Sequence, residues 1–295
     1  MNNTTIVFCG LSKNNFKTLE RNIEFIQSLK VNINDKKFHT IIVDSSSNDG
    51  SKEYLARLEH DIITIHKDDI DEISKSRIER IAICRNLGLD YIKSNFENRN
   101  LIYIPCDMDL DLFSKTTIQE FNSYVDLVLS KISDGAIFPI SVPNYYDIFA
   151  LRAKGWVNFN SQLIVNFFKK YIRVGSFFWN YFFIFRYQWP PSKVRRKNYS
   201  ITSAFGGIGI YNISNKDLSK CRYEISIKDK DLYSEHLFFN AHFNNLKIKH
   251  DWLIEAPIQH IEYKSYGFLD KIKYILRTIK YDFTNLFPKG FYGKK

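Results

Sequence analysis

Leu101-Ile102-Tyr103-Ile104-Pro105-Cys106-Asp107-Met108-Asp109-Leu110-Asp111 is an apolar run that ends in alternating carboxylates. Its β-branched and aromatic residues predict a buried strand. Side chains alternate along extended backbone, so Asp107, Asp109 and Asp111 project to one side if the extension persists. Three carboxylates on one side repel one another, and a divalent cation relieves the repulsion. Hard oxygen ligands suit Mg2+ or Mn2+, which in turn neutralises a diphosphate leaving group. An exposed acidic loop after a buried strand is the plainer alternative.

Outward from this run, short β-branched segments alternate with longer amphipathic ones through the first 140 residues. Ile6 to Cys9, Thr40 to Asp44, Ile62 to His66, Leu101 to Pro105 and Gly135 to Pro139 are the predicted strands. Asn15 to Leu29, Ser51 to Glu59 and Ser74 to Ser94 carry helical spacing between them. The alternation predicts an α/β fold with a mostly parallel central sheet flanked by helices. Turn residues cluster after the strands, as in Asp44 to Gly50, and ligands of open α/β sheets bind at those carboxyl ends.

The second half changes character. Ile148 to Lys216 holds eleven Lys or Arg and no Asp or Glu, and Phe177 to Trp189 holds nine aromatics. A glycine-rich run, Ser203 to Tyr211, reads as a strand; Ser234-Glu235-His236 opens a helix, and Leu246 to Ile254 reads as another strand. The expected organisation is one domain over 1–262, with a nucleotide half near 1–140 and an acceptor half near 141–262 that includes a basic aromatic insertion at 152–200. A basic amphipathic tail, 263–295, follows, in which Phe268, Leu269, Ile272, Ile275, Leu276 and Ile279 can share a helical stripe.

The 295 residues carry 42 Lys and Arg against 32 Asp and Glu, and 44% are hydrophobic, enough to bury a core and too ordered a composition for a disordered chain. The excess of positive charge favours anionic partners. Cys9, Cys84, Cys106 and Cys221 make no C-x-x-C pair and read as reduced core residues. A strand-like run begins after five polar or small residues, which predicts no signal peptide, and no apolar run approaches the roughly 20 residues of a membrane span. Cytoplasmic localisation is the expectation. The aromatic run and the tail suit either peripheral association at an anionic membrane surface or, as the plainer alternative, a tail docked on the core and an aromatic acceptor-side subdomain or oligomer contact.

These segments resemble GT-A glycosyltransferases over most of residues 4 to 262. Thr40 to Ser51 is similar to the first nucleotide-contacting strand end of that fold, Arg85-Asn86 within Ile83 to Gly88 to its A-R-N-x-G helix, and Asp107-Met108-Asp109 to its D-x-D. With Tyr146 to Arg152 and Phe205 to Tyr211 downstream, the order resembles the glycosyltransferase family 2-like, fungal capsule-associated mannosyltransferase and collagen-type branches. The resemblance implies Asp107 at the ribose or, through water, at the metal; Asp109 as metal ligand; and Asp44 toward the nucleotide. It implies Glu235 beneath the acceptor hydroxyl and His260 completing the metal shell, with Arg85, Asn86, Gly206 and Gly207 at the donor. One departure is that the usual acidic pair is here Glu235-His236, so the acid is Glu235 or the role is shared with His236. The implied reaction moves a hexose from a nucleotide-sugar donor, with Mn2+ or Mg2+, to a glycan, protein or lipid-linked acceptor.

The residues make chemical sense without the family. A sugar hydroxyl needs a carboxylate or imidazole to accept its proton in an inverting transfer, whereas a retaining transfer needs mainly donor positioning. Glu235 at a helix start equally suits the helix dipole, His260 equally suits a satisfied histidine, and Arg85 suits either phosphate or an acidic neighbour. Gly206, Gly207 and Gly209 fit a backbone approached closely by sugar, or a bulged strand; they match no G-x-G-x-x-G or P-loop fingerprint. Two other classes compete. A haloacid-dehalogenase-like phosphatase would want its nucleophilic Asp on the first strand rather than the fourth. A basic protein binding nucleic acid or membrane would use the interleaved aromatic and basic residues from Lys169 to Lys197; nucleic acid is not the expected partner.

Overall fold

The computed structural model describes residues 4–97, 100–171, 176–196, 199–225, 233–256, and 272, 273 and 276 of the tail. His260 and the remainder of the predicted tail stripe lie outside the described residues. In chain order the elements are β1 (Thr4–Ser12), α1 (Phe16–Asn32), β2 (Lys36–Asp44), α2 (Ser51–Ala56), β3 (Ile63–His66), α3 (Ile70–Ile73), α4 (Arg77–Asn95), β4 (Leu101–Asp107), α5 (Ile118–Lys131) and β5 (Gly135–Val142). There follow β6 (Arg152–Lys154), α6 (Ser161–Tyr171), α7 (Ser176–Phe183), a 3-10 turn (Phe185–Tyr187), α8 (Pro191–Val194), β7 (Ser200–Ser203), β8 (Ile210–Asn212), α9 (Glu235–Asn240) and β9 (Asn245–Glu255).

The described strands form one mixed sheet in the order β3-β2-β1-β4-β8-β5-β9-β7-β6. β3, β2, β1 and β4 run parallel, as do β5 and β9, while β8 lies antiparallel between β4 and β5. This is a Rossmann-like α/β fold. The chain winds outward from β1 to β3 and then returns to place β4 on the other side of β1. That reversal opens a crevice at the carboxyl ends of β1 and β4, where open α/β sheets bind ligands.

Alternation along the central strands splits the core in two. Ile6, Phe8, Ile102 and Ile104 pack with α1 and α5, whereas Val7, Cys9 and Tyr103 pack with α4 and α9. α1 buries Leu19, Ile23, Ile26 and Leu29 at helical spacing, and α5 begins with a capping box in which Thr117 and Glu120 satisfy each other's backbone N–H. Ser76 caps α4 by accepting from the Glu79 N–H. Gly88 lets α4 lie hard on β1: a Cβ there would sit 2.2 Å from Cys9 Sγ. Arg85, one turn earlier, is thereby held over the crevice.

Two sequence expectations are corrected. Ser203 to Tyr211 is not one strand, because Gly206 and Gly207 take φ of +79° and +93° and turn the chain between β7 and β8. The three carboxylates do not share one side. Extension stops at Asp107, where Leu110 N–H closes a turn on the Asp107 carbonyl at 3.2 Å, and Asp111 instead pairs with Arg21 of α1 at 2.8 Å.

Candidate active site

A cleft of about 950 Å3 opens at the crevice. Ser12 and Lys13 at the end of β1, Arg77 and Arg85 of α4, and Asp107 and Asp109 after β4 line one side. Asp147, Phe149, Gln188, Glu235 and His236 line the other.

Arg85 ties the two sides together. It is 2% exposed, donates from Nη2 to Asp107 Oδ1 at 2.6 Å and from Nε to Glu235 Oε1 at 3.2 Å, and lies over the rings of Phe205 and Tyr223. Burial opposes its charge, but Asp107 and Glu235 outweigh burial and hold its pKa well above the usual range. Its Nη1 has no hydrogen-bond partner among the described residues. The guanidinium is thus a cross-brace between two carboxylates from distant elements.

The Phe205-Gly209 turn supports the same group of residues. Phe205 stacks on the His236 ring at 3.6 Å, Gly206 N–H donates to Asp147 Oδ2 at 3.2 Å, and the Gly207 carbonyl accepts from Asp107 N–H at 2.7 Å. A Cβ on Gly207 would meet Leu110 Cδ1 at 2.2 Å. Gly206 therefore holds the Asp147 carboxylate and Gly207 the backbone of Asp107, and neither is among the residues lining the cleft. Asn86 also lies off the cleft, exchanging two hydrogen bonds with the backbone of Tyr223. Asp44 is buried and accepts from the N–H and hydroxyl of Ser47, shaping the loop whose Ser45 lines the cleft.

Charge is unevenly neutralised here. Asp109 faces the cleft, where solvent reaches it but protein closes round its other sides; burial and then Asp107 push its pKa to about 6, against the pull of Arg77. Burial also lifts Asp147 to about 6, although its oxygens accept from Gly206 and Ala150 N–H. Glu235 is raised by burial, with Arg85 opposing. His236 is held well below its ordinary value by burial and then by Arg85, so its ring is neutral; Nε2 lies 3.4 Å from Glu235 Oε1 without forming a hydrogen bond. No group of three or more His, Cys, Asp or Glu poised for a metal occurs among the described residues. Asp107 and Asp109 are the two carboxylates after β4 that line the cleft.

Among the lining residues to which sequence reading gave no role are Asp147, Lys13 and Arg77. Asp147 stood in the quoted Tyr146 to Arg152 run without a role. Lys13 follows β1 directly. Arg77 sits in the first turn of α4, where the helix dipole disfavours a cation, and that placement was the available signal of an anion nearby.

No family model and no curated protein matches the chain. Solved structures do resemble it. Mannosyl-3-phosphoglycerate synthase from Rubrobacter xylanophilus is 10% identical with a TM-score of 0.44, covering 99% of this chain and 77% of its own. A mannosyltransferase from Pyrobaculum calidifontis, in complex with GDP-Man and Mn2+, is 12% identical with a TM-score of 0.49 over the same shares. Glucosyl-3-phosphoglycerate synthase from Mycobacterium tuberculosis, in complex with Mn2+, UDP and phosphoglyceric acid, is 12% identical with a TM-score of 0.42, covering 95% and 78%. With TM-scores below 0.5, the chemistry of this chain rests on its own residues.

Proposed function

We propose that this chain is a GT-A glycosyltransferase that moves a hexose from a nucleotide diphosphate sugar to an acceptor hydroxyl, with Mn2+ or Mg2+ at Asp107 and Asp109. The observation that carries the proposal is the crowded Asp107/Asp109 pair at the switch point of the sheet, sharing one cleft with Glu235 and Asp147. Two carboxylates suit Mg2+ or Mn2+, which complete their shells with substrate phosphates and water. Burial and then the neighbouring Asp107 charge raise the Asp109 pKa, and a cation beside the pair would offset both. His260 is the proposed third ligand. When bound, the cation neutralises the departing diphosphate.

The chain's own residues divide the remaining work. Lys13 and Arg77 face the donor's phosphates, and Ser45, whose N–H and hydroxyl both donate to the Ser12 carbonyl, meets the nucleotide in the loop that Asp44 braces through Ser47. Asn86, Gly206 and Gly207 act on the donor indirectly, through the walls they position. Glu235, oriented by Arg85, accepts the acceptor's proton; neutral His236 packs behind it and keeps water from that oxygen. Four free, buried cysteines accord with a reducing, cytoplasmic setting. Glycan, protein and lipid-linked hydroxyls are the acceptor classes. A dehalogenase-like phosphatase is disfavoured because Asp107, its required nucleophile, sits on the fourth strand and is tied to Arg85.

Calorimetric titration with UDP and GDP tests the donor half. Binding that requires Mn2+ and disappears in Asp109→Ala is expected; metal-independent binding unaffected by that substitution would overturn the assignment. Salt-sensitive binding of oligonucleotides alone would favour a nucleic-acid protein instead.

A further inference from the structure

We propose that α6 and α7 form a lipid-facing platform that seats the cleft on an anionic bilayer, so that the acceptor hydroxyl is borne by a membrane molecule. The acceptor clause rests on the glycosyltransferase reading; the seating does not.

α6 is apolar on two sides. Toward α7, Val165 is buried and Phe168 stacks on Trp179 at 3.9 Å and Phe183 at 5.7 Å. Away from that contact Leu163, Phe167 and Tyr171 recur every fourth residue and are exposed, Phe167 by 56% and Tyr171 by 63%. α7 adds Phe178, Tyr181 and Phe182, also exposed. A helix apolar on opposite sides is the pattern of one covered on both, and an exposed apolar patch of this size marks an interaction surface.

Charge selects the occupant. No acidic residue occurs between Ile148 and Lys216, and three of the described cations there lie over aromatic rings: Lys170 over Tyr171, Arg186 over Tyr187 and Lys193 over Trp189. Rings at headgroup depth with cations beside them are the chemistry of an interfacial helix. A second copy seated on this face would set positive charge against positive charge, whereas lipid phosphates complement it. In the tail, Ile272 and Leu276 are exposed with Lys273, the same combination of groups. No described helix is long and apolar enough to cross a membrane, so contact lies in the interface plane. Gln162 of α6 and Asn180 of α7 line the cleft, which puts the platform at its mouth.

Co-sedimentation of the full chain with phosphatidylcholine vesicles, with and without phosphatidylglycerol, tests the seating. The protein is expected to bind the anionic vesicles, more weakly as salt rises, and Phe167→Asp combined with Phe182→Asp is expected to reduce partitioning by roughly tenfold or more. Lys170→Glu, a surface change that leaves the apolar patch intact, is expected to weaken binding to anionic vesicles alone. No binding to anionic vesicles, or equal binding by wild type and both variants, overturns the proposal. So does a dimer that the double substitution dissolves without any vesicle binding. Metal-dependent nucleotide release from a sugar donor, measured in free solution on the same samples, reports on the glycosyltransferase reading separately: its absence counts against that reading, while vesicle binding alone decides the seating.

Discussion

Replacing Arg85 with Met removes the one cation that two carboxylates share. Glu235 is nine-tenths buried and Asp107 half-buried, so the variant leaves a buried carboxylate without its partner while preserving much of the apolar volume between Phe205 and Tyr223. Breaking a buried pair in this way costs about 3–5 kcal/mol, mostly as the penalty on the stranded charge. The cost has a pH signature. Glu235 is already raised by burial in the presence of Arg85, and losing Arg85 raises it further. A carboxyl raised in the fold contributes stability that is present below its unfolded value, about 4.3, and lost as pH rises through the folded value. The difference between Arg85→Met and wild type should therefore be largest at neutral pH and shrink toward pH 4. Urea unfolding followed by circular dichroism at several pH values measures it. A cost below about 1 kcal/mol at pH 7, or one that does not change with pH, would refute the cross-brace, since buried pairs cost more than exposed ones.

Gly88→Ala should destabilise by about 1–3 kcal/mol through overpacking against Cys9 Sγ, and Cys9→Ala in the same chain should restore part of the loss; simple additivity of the two changes would remove Gly88 from the account. Glu235→Gln should cut transfer by about 10²–10⁴-fold with donor binding retained. His236→Gln should act chiefly on stability, and the reverse ranking would exchange their roles. Asp109, raised to about 6 without metal, loses folded-state stability as pH rises from its ordinary 3.8 through 6. Mn2+ binds the ionised form, so the thermal shift it produces should grow across that same range; a pH-independent shift would place the metal elsewhere.

The parallel half of the sheet was legible because β1, β4 and the second half of β2 are buried on both faces and so carry short apolar runs. α5 was equally legible, with Thr117 and Glu120 as a capping box ahead of Phe121, Tyr124, Val125 and Val128, but it went unread. The carboxylates at the end of β4 stood out because charge directly after such a strand is rare without a use. Asp111 misled, since alternation holds only while the backbone stays extended and the turn at Asp107 ends it. The partnership of Arg85 with Glu235 joins positions 150 residues apart, and no local pattern encodes it. The role of Gly206 in bracing Asp147 and of Gly207 in bracing Asp107 was hidden for the same reason: their left-handed turn acquires its meaning only once those two residues lie beside it.

Release of free nucleotide from a panel of nucleotide sugars, with Mn2+ and with chelator, compared between wild type and Asp109→Ala, bears most directly on the central claim. Metal-dependent release from at least one donor, absent in Asp109→Ala while both proteins show the same unfolding midpoint at pH 4, where Asp109 is protonated, is the predicted result. Release that persists in Asp109→Ala, or that proceeds equally in chelator, would contradict the placement of a metal-assisted sugar transfer at the end of β4.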